Sequence, residues 1–452
     1  MGGSGTVTTT IGAPYTVPAG EVHERLARYI LADGMKLVLD YERSHGSWLV
    51  DKVTGREYLD FFSFFASQPI GFNHPALHEP NFERTLLKVA RCKPSSSDIY
   101  TEEYAAFVET FARLGMREHF RYAFFIAGGA LAVENCMKAA FDWKVRKNLA
   151  AGRGEIGDKV LHFTQAFHGR SGYTLTVTNT ADPRKYMYFP RFDWPRVDAP
   201  ALRFPRNAEN DALTAQAERR AVAEIEAAFD QHPHEIAAIL IEPIQGEGGD
   251  NHFRPEFLRE LRRIADEREA MLIFDEVQTG GGITGTFWAW EQLGVRPDLL
   301  AFGKKLQVCG VLATERIDEV PDNVFHLPSR INSTWGGDVT DMVRSQRYLE
   351  VIESEGLLEH AGRMGERLLA GLEALCAEHE ALDAPRGRGL MCAVDVESGE
   401  RRDQIIRRAY ELGVLALPCG VRSIRTRPFL DVRPEEIDLF CERIGQAVRE
   451  TA

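Results

Sequence analysis

An acid and a lysine that could work together in amine chemistry follow two apolar segments of the sequence. Asp275 comes directly after the apolar run 271–274, and Lys304 comes 29 residues later, at the end of the run 298–303. A lysine at a partly dry strand end loses some of its ammonium stability and becomes a better nucleophile. A nearby carboxylate could stabilise the protonated pyridine nitrogen of a cofactor. The pair therefore indicates covalent chemistry on a carbonyl group, although a salt bridge would use the same residues and Lys305 could replace Lys304.

Polar groups end four apolar segments in the middle of the chain. They are found at 167–170, 242–247, 275–278 and 304–305. In open α/β sheets, ligands bind at the carboxyl ends of the strands. Strand ends are often polar, but four successive ones that carry acid, base and amide groups predict a binding edge.

Small residues precede a helix-like stretch near residue 130. Gly128, Gly129 and Ala130 come before LAVENCMKAAFDWKVRKN. Small residues at a helix start leave backbone N–H groups open to a phosphate. Glycine before a helix is common, so this motif indicates an anion site only together with the others.

Two other motifs give weaker signals. Gly280, Gly282 and Gly285 spell GxGxxG, but a loop separates them from the strand that ends at 275–276. The acidic residue expected about 20 positions later, at the end of a following strand, is also missing, so a dinucleotide-binding dehydrogenase is disfavoured. The segment 232–234, His-Pro-His, has no further ligand at metal-site spacing, so no metal is expected.

The elements that must position these residues alternate between strands and helices. Short apolar runs at 159–167, 236–245, 271–278 and 298–305 are separated by helix-like stretches such as 213–231 and 255–269. This alternation predicts an α/β fold with a mainly parallel sheet covered by helices on both faces. After about residue 337, two long helical stretches, a β-rich part and a final helix predict a smaller α+β domain.

Bulk composition limits the class of protein. The 452 residues carry 54 basic and 67 acidic side chains, a net charge of -13, which argues against nucleic acid or an anionic membrane as partner. No apolar run approaches the roughly 20 residues that cross a bilayer. Seven scattered cysteines without a CxxC pair, and an N-terminus that does not look secretory, predict a cytoplasmic location.

Several segments together resemble one known family. The strings IFDEVQTGGGITG, PDLLAFGKK and NSTWGG resemble the class III aminotransferases, which have the fold type I architecture and use pyridoxal 5'-phosphate. The likeness spans roughly residues 40 to 445. It implies a seven-stranded-type sheet and three segments: an N-terminal arm and small-domain segment (1–75), a large cofactor-binding α/β domain (76–336) and a C-terminal small domain (337–452). The first 20 residues are expected to form a flexible arm.

The resemblance also implies roles for individual residues. Lys304 would be the Schiff-base lysine, and Asp275 would pair with the pyridine nitrogen. The other residues implied at the cofactor are Phe167 on the ring face, Gln278 beside the phenolic oxygen, Gly129 and Ala130 at the phosphate, and Thr334 at the phosphate of the partner subunit's cofactor. The residues implied at the substrate are Arg170 and Arg425 for carboxylates, Glu247 as partner of Arg425, and Gln278 and Asn332. A homodimer with shared sites follows from the role of Thr334.

Within the class, the segments HGRSGYT, EPIQGEGGD, FGKKLQVCG and SRINSTWGG look most like L-lysine 6-aminotransferases. Such enzymes move the terminal amino group of L-lysine to 2-oxoglutarate, which gives a cyclising semialdehyde and L-glutamate by ping-pong kinetics. Ornithine, 4-aminobutyrate or diaminobutyrate are alternative donors, and a non-catalytic binding protein on the same fold is an alternative of another class. Phe65, in the bulky run FFSFFAS, could line the substrate channel and shift the donor preference.

Overall fold

A computed structural model of the protein describes residues 15–451. The strands are β1 (Trp48–Val50), β2 (Glu57–Asp60), β3 (Tyr122–Ile126), β4 (Lys159–Phe163), β5 (Arg196–Val197), β6 (Ile236–Ile241), β7 (Ile244–Gln245), β8 (Asn251–His252), β9 (Met271–Asp275), β10 (Leu299–Phe302), β11 (Cys309–Ala313), β12 (Leu382–Arg388), β13 (Met391–Val396), β14 (Val414–Leu415), β15 (Leu417–Cys419) and β16 (Ser423–Thr426). The α-helices are α1 (Val22–Ala27), α2 (Ser63–Ala66), α3 (Pro80–Ala90), α4 (Glu102–Phe111), α5 (Gly129–Ala150), α6 (Gly172–Val177), α7 (Ala208–Gln231), α8 (Pro255–Glu267), α9 (Ala289–Leu293), α10 (Val339–Ser354), α11 (Leu357–Glu378), α12 (Gly399–Glu411) and α13 (Pro434–Glu450).

The largest sheet has seven strands in the order β3-β11-β10-β9-β6-β4-β5. Strands β10, β9, β6, β4 and β5 pair in parallel. Strand β11 is antiparallel to both of its neighbours, β10 and β3. The prediction of a mainly parallel sheet is therefore confirmed.

Helices cover this sheet on both faces, as the near-continuous apolar strands require. Every residue of β6 is buried. Ile239 and Ile241 pack in a core with α7 and α8, whereas Ala238 and Leu240 pack in a core with α5 on the other face. The two faces fix which strand residues turn toward helices and leave the carboxyl ends of the strands free for polar side chains.

The last part of the chain forms a smaller α+β body. Strands β12, β13, β16 and β15 make an antiparallel sheet that packs with α11 and α13. Strand β14 leaves this part of the chain to pair in parallel with β2 of the antiparallel pair β1–β2. The N-terminal strands are thus joined to the C-terminal body by main-chain hydrogen bonds.

The short element α2 has an unusual backbone. Its four residues, Ser63, Phe64, Phe65 and Ala66, all have positive φ, between 39° and 68°, so the segment is one left-handed turn without glycine. Asp60 Oδ1 accepts hydrogen bonds from the backbone N–H groups of Phe62 (2.7 Å) and Ser63 (2.8 Å). The Ser63 hydroxyl donates to the carbonyl oxygen of Arg427 at 2.6 Å. These contacts offset part of the cost of the left-handed conformation, which is about 1–2 kcal/mol per residue.

The N-terminal arm expected over residues 1–20 lies mostly outside the described residues. Its last two residues, 19 and 20, begin a short 3-10 helix at Ala19–Glu21 that leads into α1. Among residues 15–451, no helix is both long and apolar enough to cross a membrane.

Candidate active site

Four parallel strands of the large sheet deliver polar side chains to one edge. His168 follows β4, Glu242 follows β6, Asp275 ends β9 and Lys304 follows β10. Because parallel strands have their carboxyl ends at the same edge, the four side chains belong to a single site. The rest of the site is built around this edge.

Asp275 is held by a buried histidine. Its Oδ2 lies 2.8 Å from Nδ1 of His168, and its Oδ1 accepts a hydrogen bond from the backbone N–H of Val277 at 3.0 Å. Asp275 is 5% exposed and His168 is 3% exposed. His168 Nε2 is buried and has no hydrogen-bond partner among the described residues. The contacts fix the carboxylate while leaving it able to meet a cationic N–H group.

Glu242 organises the loop that follows β4. Its Oε1 accepts from the backbone N–H of Phe167 at 2.9 Å, and its Oε2 accepts from that of Gly246 at 3.0 Å. The pKa of Glu242 is raised to about 7, mainly by burial; His168 and the two backbone hydrogen bonds act against this shift, whereas the charge of Asp275 adds to it. Glu242 therefore joins two strand-end loops and fixes the backbone on which Phe167 is carried.

Lys304 and Lys305 differ in the charges that surround them. Burial lowers the pKa of Lys304 to about 8, with Arg425 and Arg427 acting in the same direction and Asp275 opposing them. Burial also lowers the pKa of Lys305, to about 7, but its opposing carboxylates are Asp60 and Asp431. Of the two lysines, Lys304 is therefore the one whose pKa is influenced by the Asp275 carboxylate.

The helix start predicted to bind phosphate meets the loop after β4. Gly128, with φ +105°, directly precedes α5, which begins at Gly129 and runs for 22 residues. Gly169 has φ +124°, and a Cβ built there would lie 2.5 Å from Cβ of Ala130. The first turn of α5 thus packs directly against the strand-end loop, with its backbone N–H groups at the same end of the sheet as Lys304.

Gln278 and two arginines of the C-terminal body form a polar group. Gln278 Oε1 accepts from Arg427 Nε at 3.0 Å and Nη2 at 2.9 Å, and Arg425 Nη1 lies 3.5 Å away. Arg427 also donates through Nη1 to the buried Asp250 carboxylate at 2.9 Å. Arg427 has a fixed structural partner, whereas Arg425 Nε is buried with no partner among the described residues. Arg425 therefore keeps free donors for an incoming carboxylate.

Glu247 lies between two cations. Arg425 Nη2 donates to Oε2 of Glu247 at 2.8 Å, and Nζ of Lys185 donates to Oε1. Lys185 ends the 3-10 helix Pro183–Lys185, and its Nζ lies 5.9 Å from the centroid of the Phe167 ring. The sequence-based pair Arg425–Glu247 is in contact, and Lys185 adds a second cation to it.

Three of the predicted site residues lie at the periphery. Arg170 is exposed, with its guanidinium carbon 5.9 Å from the Phe167 ring centroid. Asn332 and Thr334 are also exposed, in a loop that is anchored by the hydrogen bond from the Ser97 hydroxyl to the carbonyl oxygen of Ser333 at 2.6 Å. The described contacts do not connect Asn332 or Thr334 to Lys304 within this chain.

Sequence reasoning did not select four residues that the geometry brings into the site: His168, Glu242, Lys185 and Arg427. His168 and Glu242 belong to the strand-end segments 167–170 and 242–247, so the sequence indicated where they lie but not which groups they contact. Lys185 lies in an irregular segment with no periodic pattern. The glycines of the GxGxxG string lie in a loop before the short α9, not at the start of a long helix.

Known proteins resemble this chain over nearly its full length. A family model for class-III aminotransferases matches residues 30–448. The L-lysine-epsilon aminotransferase of Mycobacterium bovis is 54% identical over 431 residues, which covers 94% of this chain and 95% of the relative. That of Amycolatopsis lactamdurans is 51% identical, covering 96% and 97%. The solved structure of the lysine aminotransferase from M. tuberculosis in the internal aldimine form has a TM-score of 0.94 at 51% identity, covering 96% and 100%.

Proposed function

Because the chain belongs to the class-III aminotransferase family, we propose that it moves the terminal amino group of L-lysine to 2-oxoglutarate, with pyridoxal 5'-phosphate as its cofactor. The products are a 6-semialdehyde, which cyclises, and L-glutamate. The relatives at 51–54% identity are L-lysine-epsilon aminotransferases, and this supports the choice of donor. The architecture is the fold type I architecture of that family, as expected from the sequence.

The residues present fit this cofactor. Lys304 is a partly buried amine with a lowered pKa, and Asp275 offers a fixed carboxylate to a protonated ring nitrogen. Nε2 of the buried His168, which has no hydrogen-bond partner within residues 15–451, is a polar atom that a ligand could meet. When bound, pyridoxal 5'-phosphate supplies an electrophilic carbonyl carbon and an electron sink. Lys304 would hold it covalently, and Gly129 and Ala130 would bind its phosphate.

Chemical roles for the remaining residues follow from the same geometry. Phe167 would stack on the ring, and Gln278 would lie beside its phenolic oxygen. The Lys304 amine, once released from the cofactor, would take the proton from the substrate carbon that bears the amino group. It would deliver this proton to the cofactor carbon to which Lys304 had been attached. Arg170 and Asn332 would contact the substrate at the mouth of the site. Thr334 would reach the cofactor phosphate of a partner subunit.

The observation that carries the proposal is the ion pair between the buried Arg425 and Glu247. During the lysine half-reaction no substrate carboxylate needs to meet Arg425, and Glu247 compensates its charge at 2.8 Å. During the second half-reaction, 2-oxoglutarate brings a carboxylate close to the reacting carbon, and Arg425 can bind it in a bidentate manner. A site that must accept a cationic donor and then a dicarboxylate requires such a removable counter-charge.

A donor screen with isotope labelling tests this function. Purified protein loaded with cofactor is given 2-oxoglutarate and either L-lysine, ornithine, 4-aminobutyrate or 2,4-diaminobutyrate, and glutamate is measured. Lysine labelled with ¹⁵N at its terminal amine should give labelled glutamate, whereas label at the α-amine should stay with the donor. Lys304→Ala is the inactive control. Faster glutamate formation from another donor would move the assignment to that donor, and no glutamate from any donor would favour the non-catalytic alternative.

We also propose a homodimer in the cytoplasm. The exposed Thr334 and Asn332 support a dimer, because within residues 15–451 neither forms a hydrogen bond with a site residue of its own chain. All seven cysteines are free thiols, as expected in a reducing compartment.

A further inference from the structure

Glu247 has two cationic partners on two different carboxylate oxygens, and this arrangement extends the proposed function. Arg425 contacts Oε2, whereas Lys185 contacts Oε1. Breaking one contact therefore does not require breaking the other. The Glu247 side chain can leave Arg425 while it stays attached to Lys185.

The backbone of Glu247 is fixed on both sides. Its carbonyl oxygen accepts a hydrogen bond from the N–H of Gly420 at 2.8 Å. The N–H of the preceding residue, Gly246, donates to the buried Glu242 carboxylate at 3.0 Å. A movement of Glu247 between partners is therefore a rotation of its side chain, not a loop movement.

Burial decreases from one partner to the other. The Arg425 side chain is 4% exposed, that of Glu247 is 24% exposed and that of Lys185 is 19% exposed. A released Glu247 that stays with Lys185 thus remains in the more hydrated half of the site. Leaving a carboxylate without a partner in a partly buried position is costly, so a retained cation lowers the free energy of the released state.

The side-chain chemistry suits the two partners to different tasks. Arg425 presents a planar fork: its Nε has no hydrogen-bond partner in the part of the chain that the structure describes, and its Nη1 makes a long contact of 3.5 Å with Gln278 Oε1. Arg425 can therefore bind a planar carboxylate with two donors. The lysine ammonium is a point charge on a flexible stem with three donors, so it can follow a moving carboxylate. Two cations and one glutamate leave one positive charge, which matches one carboxylate of a dicarboxylate substrate.

We propose that Lys185 is a positioning residue for the oxoacid half-reaction: it retains Glu247 after a substrate carboxylate displaces Glu247 from Arg425. The inference rests on the proposed function, because it assigns Lys185 to the step in which 2-oxoglutarate enters. Lys185 acts through Glu247 and not by binding the substrate. Removing the Lys185 side chain therefore makes it harder for a substrate carboxylate to displace Glu247 from Arg425.

A double-mutant cycle on ligand affinity tests this role without relying on turnover. The probe is glutarate, an unreactive dicarboxylate of the same length as 2-oxoglutarate, and its dissociation constant is measured by titration calorimetry on the cofactor-loaded protein. Lys185→Met should weaken glutarate binding by on the order of tenfold, the effect of losing one hydrogen bond to a charged group. Lys185→Arg should restore most of the affinity.

The second arm of the cycle separates an indirect role from a direct one. In a Glu247→Gln background Arg425 has no ionic competitor, so Lys185→Met should change glutarate affinity by less than about twofold, the usual limit of additivity. Arg184→Met, which removes a neighbouring exposed cation that pairs with Asp182, is the matched control and should not reproduce the loss. A tenfold loss that persists with Glu247→Gln would show direct binding by Lys185 and overturn the proposal.

Half-reaction kinetics give the second readout. In single-turnover measurements, Lys185→Met should raise the half-saturating 2-oxoglutarate concentration more than it changes the lysine half-reaction. Equal losses in both halves would also overturn the proposal. If unmodified protein does not transfer the lysine amino group, the proposed function fails by itself, whereas the glutarate cycle still reports on the Lys185–Glu247 contact.

Discussion

At the scale of single residues, the site depends on partners that hold the reactive groups in place. Asp275 has one carboxylate oxygen on His168 and the other on the backbone of Val277, so it cannot rotate freely. Burial, together with the charges of Arg425 and Arg427, lowers the pKa of Lys304 and so favours its neutral amine. The reactivity of both residues is thus set by neighbours that are distant in the sequence.

Replacing His168 should impair turnover more than it impairs folding. His168→Phe removes the hydrogen bond to the Asp275 carboxylate, which is worth about 1.5–3 kcal/mol for a charged partner. We expect kcat to fall by about ten- to a hundredfold while the protein remains folded. The measurement is steady-state glutamate formation together with thermal unfolding. Unchanged kcat would show that Val277 alone positions the carboxylate.

The lowered pKa of Lys304 should appear in cofactor binding. In cofactor-free protein, the neutral amine is the form that attacks a carbonyl, so the rate of covalent binding should rise as pH increases through about 8 and level off above it. The rate is followed by absorbance after mixing with pyridoxal 5'-phosphate. Arg425→Gln removes a cation that lowers this pKa, so its midpoint should move to higher pH.

A midpoint near the ordinary lysine value would contradict this prediction. Borohydride reduction and peptide mapping of the same samples identify the lysine that reacts. The label should be found on Lys304 and be absent in Lys304→Ala, whereas a label on Lys305 would overturn the assignment.

At the scale of elements, the first turn of α5 and the loop after β4 are joined by a contact that only glycine permits. Gly169 has φ +124°, and an added Cβ would lie 2.5 Å from Cβ and 2.9 Å from Cα of Ala130. The loop carries Phe167 and His168, and the helix start offers the backbone N–H groups. One close approach therefore sets the spacing between the loop proposed to contact the cofactor ring and the helix start proposed to bind its phosphate.

Gly169→Ala should separate these two elements and weaken cofactor affinity. Gly154→Ala is the matched control, because Gly154 also has a positive φ, +89°, but an added Cβ would meet no atom within 4 Å. Both variants carry the conformational cost of about 1–2 kcal/mol. Gly169→Ala should lose additional stability and bind the cofactor more weakly, as measured by thermal unfolding and cofactor titration. Equal stability and equal cofactor affinity of the two variants would show that the α5 start moves to accommodate the added Cβ.

Many of the strands, and the sheet edge at which they end, were predictable from the sequence. The apolar runs 236–245 and 271–278 predicted strands because buried parallel strands are apolar along their length, and β6 and β9 lie there. The strand-end rule then placed Asp275 and Lys304 at one edge. By contrast, the left-handed turn at 63–66 contains no glycine, so the sequence does not predict its positive φ angles. The contact of Lys185 with Glu247 joins residues 62 positions apart, so no local pattern encodes it.

At the scale of the whole molecule, the site is assembled from distant parts of the chain. Lys304 and Asp275 come from the large sheet, whereas Arg425 and Arg427 come from β16 and the segment after it. Strand β14 also ties the C-terminal body to β2. The division at 75/76 and 336/337, in which the N-terminal segment and the C-terminal domain form one small body, stays a prediction.

Complementation between inactive variants tests the proposed dimer. Lys304→Ala and Thr334→Ala, each of low activity, are mixed under conditions that exchange subunits. If Thr334 serves the partner's cofactor, each mixed dimer has one intact site, so random exchange should restore roughly a quarter of the sites. The measurement is glutamate formation against the mixing ratio. No recovery despite subunit exchange would place Thr334 in the site of its own chain, and a Thr334→Ala variant that is fully active by itself would place Thr334 outside any site.

The left-handed turn at Ser63–Ala66 has a consequence for protein engineering. Glycine adopts positive φ without the steric cost that other residues carry, so Phe65→Gly relieves part of that cost but loses the edge-to-face contact of the Phe65 ring with Phe62. In a heat-challenge screen, a randomised library at position 65 would therefore be sorted by backbone preference and ring packing, whatever the donor preference of each variant. Selection for new donors at this position needs a readout of product that is kept separate from survival on heating.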